Sequence, residues 1–252
     1  MILSKKSLKL NPVVRVLVFI LLLFFLCYLL TFSPFLYSNV VENLNLTWQT
    51  VLREYLLIIP ALLLFYSLYK VIYRQSTREH VLYHEESLFV PAMFSMFITG
   101  LSLGLHAVAE SVEDVIENYN LPALYGYVYF INEFLGHFFF VSATILAYCL
   151  VIMEMNRKPT HLSLLDNILL VTIGFLGGLI LGMGFIEGGS FYLLIVPLTL
   201  YLGIVLINQS RKHPIAIKNL PFTKCFFIAQ GSMIAFSVYH AIFYGLFTQM
   251  TK

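Results

Sequence analysis

His106-x-x-x-Glu110 and Glu133-x-x-x-His137 are mirror images of one another in a chain that is otherwise strongly apolar. Residues four apart share one face of a helix. If both stretches are helical and a tight antiparallel turn joins them, His106 faces His137 and Glu110 faces Glu133. Imidazole nitrogen and carboxylate oxygen are ligands for zinc and similar ions, and a carboxylate beside a metal-bound water can act as general base. His240 in the last apolar stretch and Glu187 at the end of an earlier one extend the group. The expected metal ligands are His106, His137, His240 and Glu187, with Glu110 or Glu133 as the base. Asn132, Tyr239 and Ser102 are placed to support them by hydrogen bonds.

The rest of the chain determines whether these side chains can meet. Its 252 residues are 60% hydrophobic and only 11% charged, with a mean hydropathy of +0.86. Ordinary soluble domains carry about 25% charged residues. The composition points to a single all-α integral membrane domain over 1–252, with the lipid bilayer as its main partner. A net charge of +2 gives no sign of nucleic-acid binding. Cys27, Cys149 and Cys225 all lie in apolar runs and read as small buried hydrophobes.

A membrane-spanning helix needs about 20 mostly apolar residues. Seven stretches qualify, near 13–33, 54–73, 89–111, 124–153, 166–186, 190–208 and 224–247. The cations then orient the bundle. With the N-terminus inside, 13 of the 15 Lys and Arg residues fall in inner segments, leaving Arg53 and Lys252 outside. The positive-inside rule therefore predicts seven spans in a multi-pass cell-membrane protein, N-terminus in and C-terminus out. At about 1.5 Å of rise per residue, His106, Glu133, His137 and His240 all fall in the outer third. Glu110, Glu113, Asp114 and Glu117 continue the third span outward, so the pocket is expected to have an acidic mouth. Ionisable groups at membrane depth are costly and mark functional sites by default.

Ser102-Leu103-Gly104-Leu105-His106 resembles the Ser-x-x-x-His element of the membrane hydrolase superfamily that includes alkaline ceramidases and adiponectin-receptor-like proteins. The resemblance implies a seven-span zinc enzyme acting on lipid amides, with His240 in the span where that family places ligands. It covers five residues. The family's last-span His-x-x-x-His has Tyr244 in its second position here, and Glu133 with His137 has no counterpart. Gly104-Leu105-His106-Ala107 is similar to a segment of CAAX-processing membrane proteases, but Glu85-Glu86 is followed by Val90 where those have Arg. The chain is assigned to neither family.

Residue chemistry alone leaves several functions open. The leading one is a divalent-metal enzyme, with zinc as the metal, hydrolysing a lipid or lipid-linked substrate. The others are a cation- or proton-coupled carrier, a haem protein using facing histidines, and a purely structural polar network. The carrier has the acidic mouth in its favour, but no ionisable residue continues the path through the inner half. Gly174, Gly178 and Gly182 form a small-xxx-small ladder that lets helices approach closely. His80, His84, His161 and His213 read as solvated loop residues. Glu154 and Asp166 read as ordinary interfacial charges beside Arg157 and Lys158. Asn45-Leu46-Thr47 is a glycosylation acceptor pattern in an expected outer loop.

Overall fold

Proline and small polar residues mark where the helices begin. Asn11 caps α1 (Pro12–Thr31): its side-chain oxygen accepts the Val13 N–H at 2.9 Å, and Pro12 occupies the first helical position, where no N–H is needed. A short antiparallel hairpin follows, β1 (Asn39–Val41) and β2 (Leu46–Thr47). Then come α2 (Ile58–Tyr73), α3 (Glu85–Asn118) and α4 (Pro122–Tyr129), the last with Pro at its start. A π-helical segment, Phe130–Gly136, leads to α5 (Phe138–Met155). The chain continues through α6 (Leu164–Glu187), α7 (Ile195–Gln209), a 3₁₀ turn (Ile217–Asn219) and α8 (Pro221–Tyr244). This computed structural model describes residues 10–31, 39–41, 46–48, 51–52, 58–77, 85–118, 121–136, 138–187, 195–209 and 216–245. Asn45, His80, His84, His137 and His213 lie outside the described residues, as do the side chains of Cys27, Glu110, Glu113, Asp114, Glu117, Glu133 and Glu187.

Within the described residues, each expected apolar stretch coincides with helix. Ser87–Ala109, Leu164–Met183 and Pro221–Tyr244 are long and apolar enough to cross a membrane. Pro12–Leu26, Ile58–Tyr73, Val141–Met155 and Leu198–Gln209 are shorter apolar helices. The stretch 124–153, expected as one helix, is divided by the π segment.

The long helices α3 and α8 are inside-out relative to helices in water. On α3, Ser95, Thr99 and Ser102 are buried, while Val90, Phe94 and Phe97 are each about two-thirds exposed (67%, 64% and 66%). On α8, Thr223, Gln230, Ser237 and His240 are buried, while Ile242 and Phe243 are exposed. A helix facing water turns its polar stripe outward. The reverse pattern is compatible with a surface facing lipid, where polar side chains are satisfied only within the bundle.

The most extensive helix contact is α6 against α8, and glycine makes it possible. A Cβ at Gly174 would lie 2.6 Å from the Cys225 carbonyl oxygen, and one at Gly182 3.0 Å from the Phe236 ring. At Gly178 it would overlap both the Ser232 hydroxyl and the Ala229 carbonyl oxygen. The ladder therefore works as helix packing. Gly177, on another face, has open space around it.

Hydrogen bonds gather the beginnings of α1, α6 and α8 and the ends of α2 and α5 at one end of the bundle. Glu154, at the end of α5 and fully buried, accepts the Phe222 N–H (3.0 Å), the Thr223 N–H (2.7 Å) and the Thr223 hydroxyl (2.8 Å). It thereby caps α8, whose own N-cap position, Leu220, has no side chain to do so. Ser163 and Asp166 bond reciprocally at the start of α6, a capping box, and the second Asp166 oxygen accepts the Asn11 N–H at 3.0 Å. Buried Arg157 donates to the Thr77 hydroxyl (2.8 Å) and the Gln75 carbonyl (3.2 Å), with its guanidinium 5.4 Å from the Tyr73 ring centre. Glu154 and Asp166 are therefore buried structural groups, not the ordinary interfacial charges expected from their neighbours. The largest apolar cluster lies at this end, joining Val13, Leu68, Ile72, Leu150, Leu170 and Phe226.

The glycine contact yields a matched pair of substitutions. Gly178→Ala is expected to lower stability by about 1–3 kcal/mol, the usual cost of overpacking. Gly177→Ala is expected to change it by less than about 0.5 kcal/mol. Denaturant unfolding of the detergent-purified protein measures both, and equal responses would contradict the packing described.

Candidate functional site

His106 sits on the inward face of α3, eleven residues beyond Ser95, and is half-buried. α3 packs against both the π segment and α5, so the expected pairing of the third and fourth apolar stretches is present. The hydrogen-bond partner of His106 Nδ1 is the side-chain oxygen of Asn132, in the π segment. Asn132 is more than a helical turn before His137, the residue that the mirrored motif would place opposite His106. A π turn adds a residue per turn to the helix and shifts which side chains face the neighbour. Such turns are frequent at functional sites. Here the π turn carries Asn132 and Glu133 side by side in sequence.

The bond sets the chemistry of the imidazole. With Asn132 Oδ1 as the acceptor, Nδ1 is the nitrogen that donates in this bond. Metal-ligating histidines are held in this way, one ring N–H donated to a carbonyl or carboxylate and the other nitrogen directed to the metal. Asn132, expected from sequence to supply a supporting hydrogen bond, is bonded to His106.

Toward the centre of the bundle the same interface is lined with hydroxyls. The Thr99 hydroxyl donates to the Ser95 carbonyl (2.8 Å), which leaves the Ser142 hydroxyl on α5 as donor to Thr99 (2.9 Å). Ser102, one turn before His106, is buried on this face.

His240 has a different setting. It is buried on α8 with its ring stacked on Tyr244, centroids 5.2 Å apart and planes 27° apart. After α6, the main neighbours of α8 are α5, α1 and α7. Tyr239, expected near the site, is half exposed and packs against Phe243 instead. Gln230 Oε1 and Ser237 Oγ on the buried face of α8 have no hydrogen-bond partner among the described residues. No three His, Cys, Asp or Glu side chains among the described residues gather closely enough to hold a metal ion. His106 is thus brought together with Asn132. His240 is placed with Tyr244, and the remaining expected ligands and bases, His137, Glu187, Glu110 and Glu133, lie outside the described side chains.

Family models, curated proteins and solved structures contain no match to this chain.

The His106 tautomer is measurable. Nitrogen-15 histidine spectra of the wild type are expected to show His106 protonated at Nδ1. Asn132→Leu removes the acceptor and is expected to shift the population toward Nε2–H. An unchanged tautomer in that variant would show that Asn132 does not set it.

Proposed function

We propose that the chain is a seven-span membrane protein, N-terminus inside and C-terminus outside, with an outward-facing His/Glu pocket that binds a divalent metal, zinc by its donor chemistry. The activity we infer for the pocket is hydrolysis of a lipid or lipid-linked substrate. The observation that carries the metal reading is the bond from His106 Nδ1–H to Asn132, in a π turn that also bears Glu133. The topology is supported by the meeting of the α1, α6 and α8 beginnings with the α2 and α5 ends, as alternating spans require. Thirteen cations assigned to that side by sequence make it the inner one.

In this reading His106, His137, His240 and Glu187 are the ligand set, and Glu110 or Glu133 takes the proton from the attacking water. Bound zinc would supply Lewis acidity and bring the pKa of its water to about 7. Asn132 holds His106 in the ligating tautomer. The buried hydroxyls of Ser95, Thr99, Ser102 and Ser142 support a second reading, a proton-coupled carrier, because they extend a polar path inward from His106.

Metal analysis of the gently purified protein separates the two readings. The enzyme reading expects stoichiometric divalent metal in the wild type and a loss of affinity of about 10- to 100-fold in Asn132→Leu. His106→Ala is expected to abolish binding. A metal-free wild type whose proteoliposomes carry a His106-dependent proton flux would overturn the enzyme reading in favour of the carrier. Metal binding unaffected by His240→Ala would remove α8 from the site.

A further inference from the structure

A cleft of about 600 Å³ opens at the end of the bundle where the helix ends are clamped, between the segment joining α5 to α6 and the 3₁₀ turn before α8. Its polar wall is Thr160, His161, Asn167, Lys218, Asn219 and Lys224. Among the described residues, no carboxylate is part of the lining. The two described acids nearby in sequence are engaged elsewhere: Glu154 caps α8, and Asp166 is held by Ser163 and Asn11. The lysine charges in the cleft are therefore not neutralised by the acids that close the bundle.

The wall is also ordered. The Thr160 N–H donates to the Asn219 carbonyl at 3.1 Å, which ties the two sides together. The Thr160 hydroxyl accepts from Asn11 Nδ2 at 3.3 Å, leaving its own proton to donate. Asn167 is fixed by donating to the Ser163 carbonyl at 2.9 Å, and its oxygen receives Lys224 Nζ. An ammonium has three donors, so Lys224 can hold Asn167 and an anion together. Two ammonium groups, a hydroxyl donor and an imidazole around a concave space match the multiple acceptor oxygens of a phosphate.

We propose that this cleft binds a phosphate-bearing anion, with Lys218 and Lys224 as the charged contacts. It is separate from the His106 region and does not depend on the metal reading. The phosphate can come from an anionic lipid headgroup at the inner surface or from a free phosphate in solution, and two probes distinguish these sources. One is inorganic phosphate titrated against the full-length protein in neutral detergent, read by thermal unfolding. The other is phosphatidylglycerol, a minor component of phosphatidylcholine nanodiscs, read by native mass spectrometry as lipid retained on the protein. Stabilisation by phosphate identifies the soluble source, and selective phosphatidylglycerol retention identifies the lipid source.

In either arm, Lys218→Ala/Lys224→Ala is expected to weaken binding by about tenfold or more. Lys70→Ala removes an exposed cation at the same end, outside the cleft and over the Tyr66 ring, and is expected to leave binding unchanged. If the double variant does not fold, the exposed Lys218→Ala alone should give a smaller loss in the same direction. No response of the wild type to either probe overturns the proposal. So does an equal loss in Lys70→Ala, which would trace binding to the general positive charge of that surface.

Discussion

The exposed faces of the long helices α3 and α8 are apolar enough to face lipid, and most of their described polar side chains turn inward. These faces are mostly Val, Leu, Ile, Phe and Tyr, while Ser95, Thr99, Ser102, Thr223, Gln230, Ser237 and His240 are buried. A buried polar group without a partner costs about 1–3 kcal/mol, so a partner on a neighbouring helix stabilises an inward group. Thr99 with Ser142, His106 with Asn132 and Glu154 with the start of α8 are three solutions to that one constraint.

The solutions are linked through α5. Its C-terminal end carries Glu154, which fixes α8, and its second turn carries Ser142, which meets α3. The π segment before it presents Asn132 to His106. The glycine ladder lets α8 lie against α6, and Asp166 ties the start of α6 to that of α1. A polar anchor at one end and close backbone packing along α6 and α8 thus support a scaffold from which α3 and the π segment present polar groups to each other.

Much of the scaffold was legible in the sequence because apolar run length and glycine spacing are local signals. Gly174, Gly178 and Gly182 announced close packing and are found packed. The Ser163-x-x-Asp166 pattern was equally local and could have been read as a capping box rather than as a loop beside an interfacial charge. Glu154 was not legible in the same way, because its partners lie 68 and 69 residues along the chain. At the site, the facing of α3 and the fourth apolar stretch followed from a short connection. Asn132 was named from sequence as a supporting residue, but the π turn that carries it was not legible, because spacing at four residues per turn assumes an unbroken α-helix. Tyr239 was named as support beside His240, and neighbours in sequence on a helix point to different sides.

The inside-out arrangement of α3 is the claim on which the proposed site and the proposed topology both depend. A nitroxide attached at Phe97→Cys in the reconstituted protein tests it most directly, by comparing relaxation by oxygen, which dissolves in lipid, with relaxation by a water-soluble nickel chelate. The account predicts strong relaxation by oxygen and little by the chelate. Dominant relaxation by the chelate would place that face of α3 in water and contradict the account.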